Sequence, residues 1–209
     1  MRKRLVARDL ALAVILAGII VAAGWVFGIP ALTSIHPQLV TMKFSTAVSF
    51  VLSGVILLCV VSFASRFSDW ILFADATAVI LLALIMGSLL LSSFAGVVTG
   101  IESLGIVEDA KAIHTTVPGR PSLLTMTAFL LVAAEGIAVL LAPRAVSLRR
   151  LCGAAVLLAG AAAVLGYLLG IPALYGEIPG KSTAMALHTA VLFMLLGAGF
   201  AAPGMPGKE

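Results

Sequence analysis

The sequence is poor in charge. Asp, Glu, Lys and Arg together make up 11% of it, while 62% is hydrophobic. Soluble domains carry about a quarter of their residues charged, so this balance excludes an ordinary soluble fold. Cysteine is nearly absent, with only Cys59 and Cys152. Both lie in or beside apolar runs near the expected inner, reducing face, which argues against a disulfide. They read as small buried hydrophobes. The usual signatures of soluble enzymes are missing too: no Gly-rich phosphate loop, no Ser nucleophile elbow, no HExxH and no CxxC. No catalytic residue is expected, and the chain is not expected to be an enzyme by itself. The basic pI, near 9.4, does not point to nucleic acid, because in a membrane protein a Lys/Arg excess marks the cytoplasmic side.

What the sequence does hold is a series of apolar runs near the ~20 residues needed to cross a bilayer as a helix. Six spans are read, at about 10–27, 44–64, 70–98, 122–142, 150–169 and 183–202. The third is long enough to tilt or emerge from the bilayer. The predicted fold class is all-α: an integral membrane bundle of six transmembrane helices built as three parallel helix-loop-helix repeats. Residues 1–209 form a single domain, with repeats at about 10–64, 70–142 and 150–202.

The repeat is carried by two motifs. Gly28-Ile-Pro-Ala-Leu32 precedes Met42-Lys-Phe-Ser-Thr-Ala-Val-Ser-Phe50, and Gly170-Ile-Pro-Ala-Leu174 precedes Met185-Ala-Leu-His-Thr-Ala-Val-Leu-Phe193. A weaker copy runs from Gly100-Ile-Glu-Ser-Leu104 to Pro121-Ser-Leu-Leu-Thr-Met-Thr-Ala-Phe129. Gly28, Gly100 and Gly170 are expected to end helices in the left-handed conformation. Pro30 and Pro172 block continuation. Thr41, Ser122 and Ser182 or Thr183 are the expected N-caps of the returning helices.

The first run follows Arg2, Lys3, Arg4 and Arg8 and has the layout of a signal peptide. Its exit matches the exit of the fifth run, however, so it reads as a retained repeat helix. Orientation follows from Lys and Arg. With the N-terminus inside, Arg2, Lys3, Arg4, Arg8, Arg66, Arg144, Arg149, Arg150 and Lys208 lie inside, and Lys43, Lys111, Arg120 and Lys181 lie outside. That predicts cytoplasmic N- and C-termini. Trp25 and Trp70 fit interfacial anchoring. Ala154, Ala155, Gly160 to Ala163 and Gly197 are small enough for close helix packing.

Together, G-I-P-x-L, M-x-x-x-T-A-x-x-F and Pro118-Gly119-Arg120 resemble the MASE-type multi-span membrane sensor domains. These stand N-terminal to PAS, histidine-kinase and diguanylate-cyclase modules in bacteria. The likeness covers roughly 20–200. It implies a membrane input domain with a cytoplasmic C-terminus that feeds an output module, as in a two-component system of the bacterial inner membrane. The middle copy departs from the family, with Pro121-Ser-Leu-Leu where the family has Met-Ser-Pro-Asn. No output module follows Glu209, so the expectation is either the sensor part of a longer protein or a relative acting through a partner.

Several constellations could carry chemistry. Met, Thr and Phe of the repeated motif share one helix face. Met42, Thr46, Phe50, Thr125, Phe129, Met185, Thr189 and Phe193, with Arg120 and His188, are the candidate ligand or sensing residues. The competing reading is that the Thr hydroxyls bond backbone and the Phe rings fill the space between hairpins. His36, His114 and His188 all fall on the outer side near Met42 and Met185, a set that would suit copper or haem. The alternative is two solvated loop histidines and a hydrogen-bonded His188. Asp75 and Glu135 lie roughly 8–11 Å deep at ~1.5 Å per residue, in spans three and four. Intramembrane carboxylates mark proton or cation sites by default. The alternative has Asp75 reaching the interface and Glu135 held as a neutral acid. Glu102, Glu108, Asp109 and Glu177 read as a solvated outer surface, with Arg120 and Lys181 as candidate partners.

The functional expectation is a membrane-embedded input domain. It would sense in its outer half and pass the change through its last helix to a cytoplasmic kinase- or cyclase-type partner. A small transporter or permease subunit using Asp75 and Glu135, and a haem- or copper-binding redox protein, are the alternatives. The expected partner besides that module is the lipid bilayer, with homodimerisation open; the ligand and any cofactor are unassigned.

Overall fold

A computed structural model describes residues 2–36, 38–63, 68–106, 108, 115–141, 146–178 and 182–202. His114, Asp109, Arg66, Lys111, Arg144, Lys181 and Lys208 lie outside the described residues, as does Glu209. The fold is helical, with no strand among the described residues. Its helices are α1 (Arg2–Val26), the single turn α2 (Pro30–Thr33), α3 (Phe44–Phe63), α4 (Asp69–Ala95), α5 (Leu123–Leu141), α6 (Val146–Leu169) and α7 (Leu187–Ala201). A 3₁₀ turn, Pro172–Tyr175, follows α6. Five of these helices, α1, α3, α4, α5 and α6, are long and apolar enough to cross a membrane, the signature of a multi-pass membrane protein. The sixth, α7, has 15 residues.

The long helices sort into a centre and a rim. Of the most apolar stretch in each, 67% is buried in α3 and 56% in α5, against 28%, 33% and 28% in α1, α4 and α6. The central helix α3 packs against α5 and α7. Each rim helix wedges between two central ones: α1 between α3 and α7, α4 between α5 and α3, α6 between α7 and α5. The rim helices therefore keep large exposed side chains such as Leu16, Leu84 and Leu158. In a lipid solvent an exposed leucine is at no disadvantage, so what draws these helices together is close packing rather than the hydrophobic effect. Glycine supplies it. A Cβ on Gly18 of α1 would stand 2.8 Å from the Ala47 carbonyl of α3, and one on Gly160 of α6 would stand 2.5 Å from the Ala190 carbonyl of α7. Gly197 likewise abuts the backbone of α6.

The helix ends correct three expectations. α4 stops at Ala95, with Gly96 in the left-handed conformation and its N–H bonded to the carbonyls of Ser92 and Ser93. Gly100, the expected cap, also has positive φ but sits in the turn beyond. Thr41 does not cap α3; its hydroxyl donates to Glu108. Ser182 and Thr183 do not cap α7, which starts later, after Ala186. The late start has a local cause. The Met185 N–H donates to the Tyr175 carbonyl, and the Met185 carbonyl accepts the Tyr167 hydroxyl at 2.6 Å. A residue committed on both sides to other segments cannot enter the helical ladder. Met42 is held the same way: its N–H donates to Thr33 and its carbonyl accepts the Trp25 indole N–H at 2.7 Å. Trp25 is thus half-buried in a loop contact, while Trp70 is exposed as an interfacial anchor would be. Ser122 does cap its helix, accepting the Thr125 N–H at 3.0 Å.

Candidate functional site

The repeated motif converges on the bundle axis. Phe50 of α3, Phe129 of α5 and Phe193 of α7 are fully buried and touch one another ring to ring. Their centroids are 4.8, 5.0 and 4.7 Å apart, with the planes tilted by 54–67°, the edge-on geometry that aromatic quadrupoles favour. Met42, Thr46, Thr125, Met185 and Thr189 are buried around them. Thr125 shares a 2.7 Å hydrogen bond with Ser122. At this level the rings fill the axis, which is the packing reading of the motif.

At one end of the bundle, beyond the rings, the connecting loops are tied by two buried ion pairs. Glu108 and Lys43 meet in one; Thr41 adds a hydrogen bond at 2.9 Å and the Gly119 N–H one at 2.7 Å, both to the same carboxylate. Lys43 also donates to the Thr115 hydroxyl. Burial pulls the Lys43 ammonium below its ordinary value, and the Glu108 carboxylate opposes that shift. In the second pair Arg120 reaches Glu102 at 2.8 Å, together with Ser92 and the Val97 carbonyl. Glu102 also accepts the N–H groups of Thr99 and Gly100. Desolvation would raise its carboxyl, but the Arg120 bond and these amides outweigh it and hold the group at about 2. Glu102 and Glu108 are therefore buried, not the solvated surface their composition indicated. Arg120 does partner Glu102. Ser182 and Thr183 accept N–H groups of Leu123 and Thr116, so the middle connection grips the loops on both sides.

At the opposite end lies a charged cluster inside the helices. Asp75 of α4, Glu135 of α5 and Arg149 of α6 are buried at 0%, 1% and 6% exposure. The Arg149 Nε stands 3.7 Å from a Glu135 oxygen, an ion pair longer than a direct hydrogen bond. Asp75 lies in the field of the same guanidinium. Neither Asp75 oxygen has a hydrogen-bond partner among the described residues. Gly136 of α5 lets α4 approach closely beside this cluster, since a Cβ there would clash with Val79 Cγ2. Asp75 is enclosed by the helices around it. Cys59 and Cys152 lie close enough to feel Asp75 and Glu135 respectively, and both are free thiols.

Arg149 is the residue that sequence reasoning missed. The Lys and Arg pattern places it on the inner side just before the fifth run, yet it sits three residues inside α6. The available signal was its place directly before the apolar run, facing a span that holds Glu135. Two of the three histidines, His36 and His188, are among the described residues. His36 is exposed and accepts the Gln38 N–H, whereas His188 is half-buried on α7. Among the described residues no three His, Cys, Asp or Glu side chains are grouped to hold a metal ion.

Compared with family models, with curated proteins and with solved structures, the chain matches none.

Proposed function

We propose that the chain is a membrane-embedded input domain that crosses the bilayer six times, as three helix-loop-helix units around a closed axis. The observation that carries this reading is the ring-to-ring contact of Phe50, Phe129 and Phe193. Three motif copies give three buried rings in mutual contact. A closed axis with clasped outer loops suits a body that changes packing more than one that passes a solute. The cyclic wedging of each rim helix between two central helices supports the three-unit arrangement. So do the matched tethers from Trp25 to Met42 and from Tyr167 to Met185. In this reading α7 is the sixth span, completed by the extended, buried segment before it. The N- and C-termini are cytoplasmic, in a bacterial inner membrane, as the Lys and Arg distribution supports. The likeness to MASE-type sensor domains supports a kinase- or cyclase-type module as the recipient of the signal.

The test joins such a module after the last helix. Substitutions in the outer half, such as Arg120→Ala, are expected to change its output. An output indifferent to every outer-half substitution that leaves the protein folded would overturn the reading.

A second reading, a small proton- or cation-coupled transporter, is favoured by one observation: the buried Asp75, Glu135 and Arg149 cluster. Buried intramembrane ions are costly and usually functional. Proton flux in liposomes that disappears in Glu135→Gln would move this reading to the front.

A further inference from the structure

Asp75 of α4, Glu135 of α5 and Arg149 of α6 are enclosed together at one end of the bundle. α3 packs against α4 and α5 and brings the Cys59 thiol near Asp75. α6 brings the Cys152 thiol near Glu135. Both thiols are free, and a thiol is uncharged at neutral pH. Asp69 and Arg150, the other charged residues of α3 to α6, are exposed. Among the described residues, three side chains therefore set the buried charge at this end.

Their charges do not balance. Two carboxylates against one guanidinium leave one negative charge over. Arg149 does not satisfy both acids: its Nε stands 3.7 Å from Glu135, and neither Asp75 oxygen accepts a hydrogen bond from a described residue. An uncompensated charge in an apolar interior is so costly that the group gains a counter-charge or is neutralised. A metal cation needs room and several oxygen ligands. The carboxylate oxygens here are wholly enclosed by protein, which leaves no such room beside them. A proton needs none. Two carboxyls in one apolar site hold a proton between them rather than both ionise.

We propose that Asp75 and Glu135 together bind one proton at neutral pH, so that the two acids and Arg149 form an electrically neutral set. The proton belongs to the pair and not to either residue alone. Each carboxyl therefore keeps part of a negative charge facing Arg149. Because the three side chains come from three helices, gain or loss of the proton alters the attraction between α4, α5 and α6. The site is independent of both readings above: a bound proton requires neither an output module nor flux across the membrane.

The experiment uses the whole chain in lipid nanodiscs and infrared spectroscopy at neutral pH. The carbonyl stretch of a protonated carboxyl stands apart from the carboxylate bands, and its intensity relative to the amide band counts such groups per chain. Wild type is expected to show one. Asp75→Asn and Glu135→Gln each leave a single acid against Arg149, so each should abolish the band. Arg149→Gln leaves both acids without a counter-charge and should double it. Should Arg149→Gln fail to fold, wild type and the two acid variants decide. Exchanging potassium chloride for sodium chloride at fixed pH should leave the wild-type band unchanged. No band in wild type, a band that survives in either acid variant, or an intensity unaltered in folded Arg149→Gln would overturn the proposal. Loss of the band in sodium would overturn it too, by giving the place of the proton to a metal cation.

Discussion

Glu135 on α5 and Arg149 on α6 form an ion pair 3.7 Å apart inside the helices, with the Asp75 carboxylate of α4 in the field of the same guanidinium. Asp75 and Arg149 stand the same number of residues before the left-handed glycines Gly96 and Gly170 that end their helices. They therefore lie at matching depths on either side of α5. Ala7 holds the corresponding place before Gly28 and is buried. One rim position thus carries an acid, a base and a methyl group in turn.

Removing one member of such a pair is worse than removing both, because the survivor keeps its desolvation cost without its attraction. Arg149→Leu is expected to destabilise the protein by about 3–5 kcal/mol. The double variant Glu135→Gln with Arg149→Leu should recover part of that loss, the remainder staying with Asp75, which also loses its counter-charge. Unfolding by SDS titration in mixed micelles measures both. Equal losses in the single and double variants would mean that the two charges do not interact.

The Phe triangle gives a second prediction. Phe193→Ala would leave a void of roughly 100 Å³, costing about 2 kcal/mol at ~24 cal/mol per Å³ of cavity. Burial from water adds little here, because lipid is as apolar as the bundle interior. The same substitution at Phe50 should cost a similar amount, and the pair together less than the sum, since the two rings contact each other. A double-variant cycle read by the same titration checks this. Strict additivity would place the rings in independent environments.

The helical class and the long apolar helices are legible in the sequence, because runs of that length and apolarity can only pair their backbone as helices in lipid. The Gly28 and Gly170 motifs gave the helix exits, and the shared Phe gave the axis. The start of α7 was not legible, because it depends on the Tyr167 hydroxyl and the Tyr175 carbonyl reaching Met185 from other segments. The charged network was half legible. Asp75 and Glu135 stood out as acids in apolar runs, whereas Lys43, Glu102, Glu108 and Arg149 looked like loop charges. Composition cannot say whether a loop charge meets water or a counter-ion. Only the packing of 98–106, 108 and 115–121 against the other loops decides that, and its one local sign is Pro118-Gly119-Arg120. Gly119 needs positive φ and lies against the Glu102 backbone, where a Cβ would clash.

Glu102 predicts a pH dependence. Its folded-state value, about 2, lies below the ordinary 4.5. The unfolded chain therefore takes up the proton first as pH falls. The stability that Glu102 contributes is complete above about pH 5 and is lost as pH falls through its folded value. Glu102→Gln should be less stable than wild type at pH 6, and the gap should narrow steadily toward pH 2. Thermal unfolding across pH 6 to 3 is the measurement. A gap that stays constant would show that the carboxylate charge is not what Arg120 and the amides hold.

Glycine at Gly197 and at Gly87 makes opposite demands, and alanine separates them. A Cβ on Gly197 would stand 2.6 Å from the Gly153 carbonyl and press on the Leu157 backbone. Backbone cannot rotate away as a side chain can, so α6 and α7 must part. Overpacking of this kind costs about 1–3 kcal/mol. A Cβ on Gly87, within α4, would meet nothing within 4 Å. There alanine only restricts the unfolded backbone, and Gly87→Ala should stabilise by up to about 1 kcal/mol. Melting temperatures of the two variants in one detergent should therefore move in opposite directions. If Gly197→Ala melts with wild type, the close approach of α6 and α7 does not hold this hairpin together, and the contacts of Tyr167 and Met185 must do so instead.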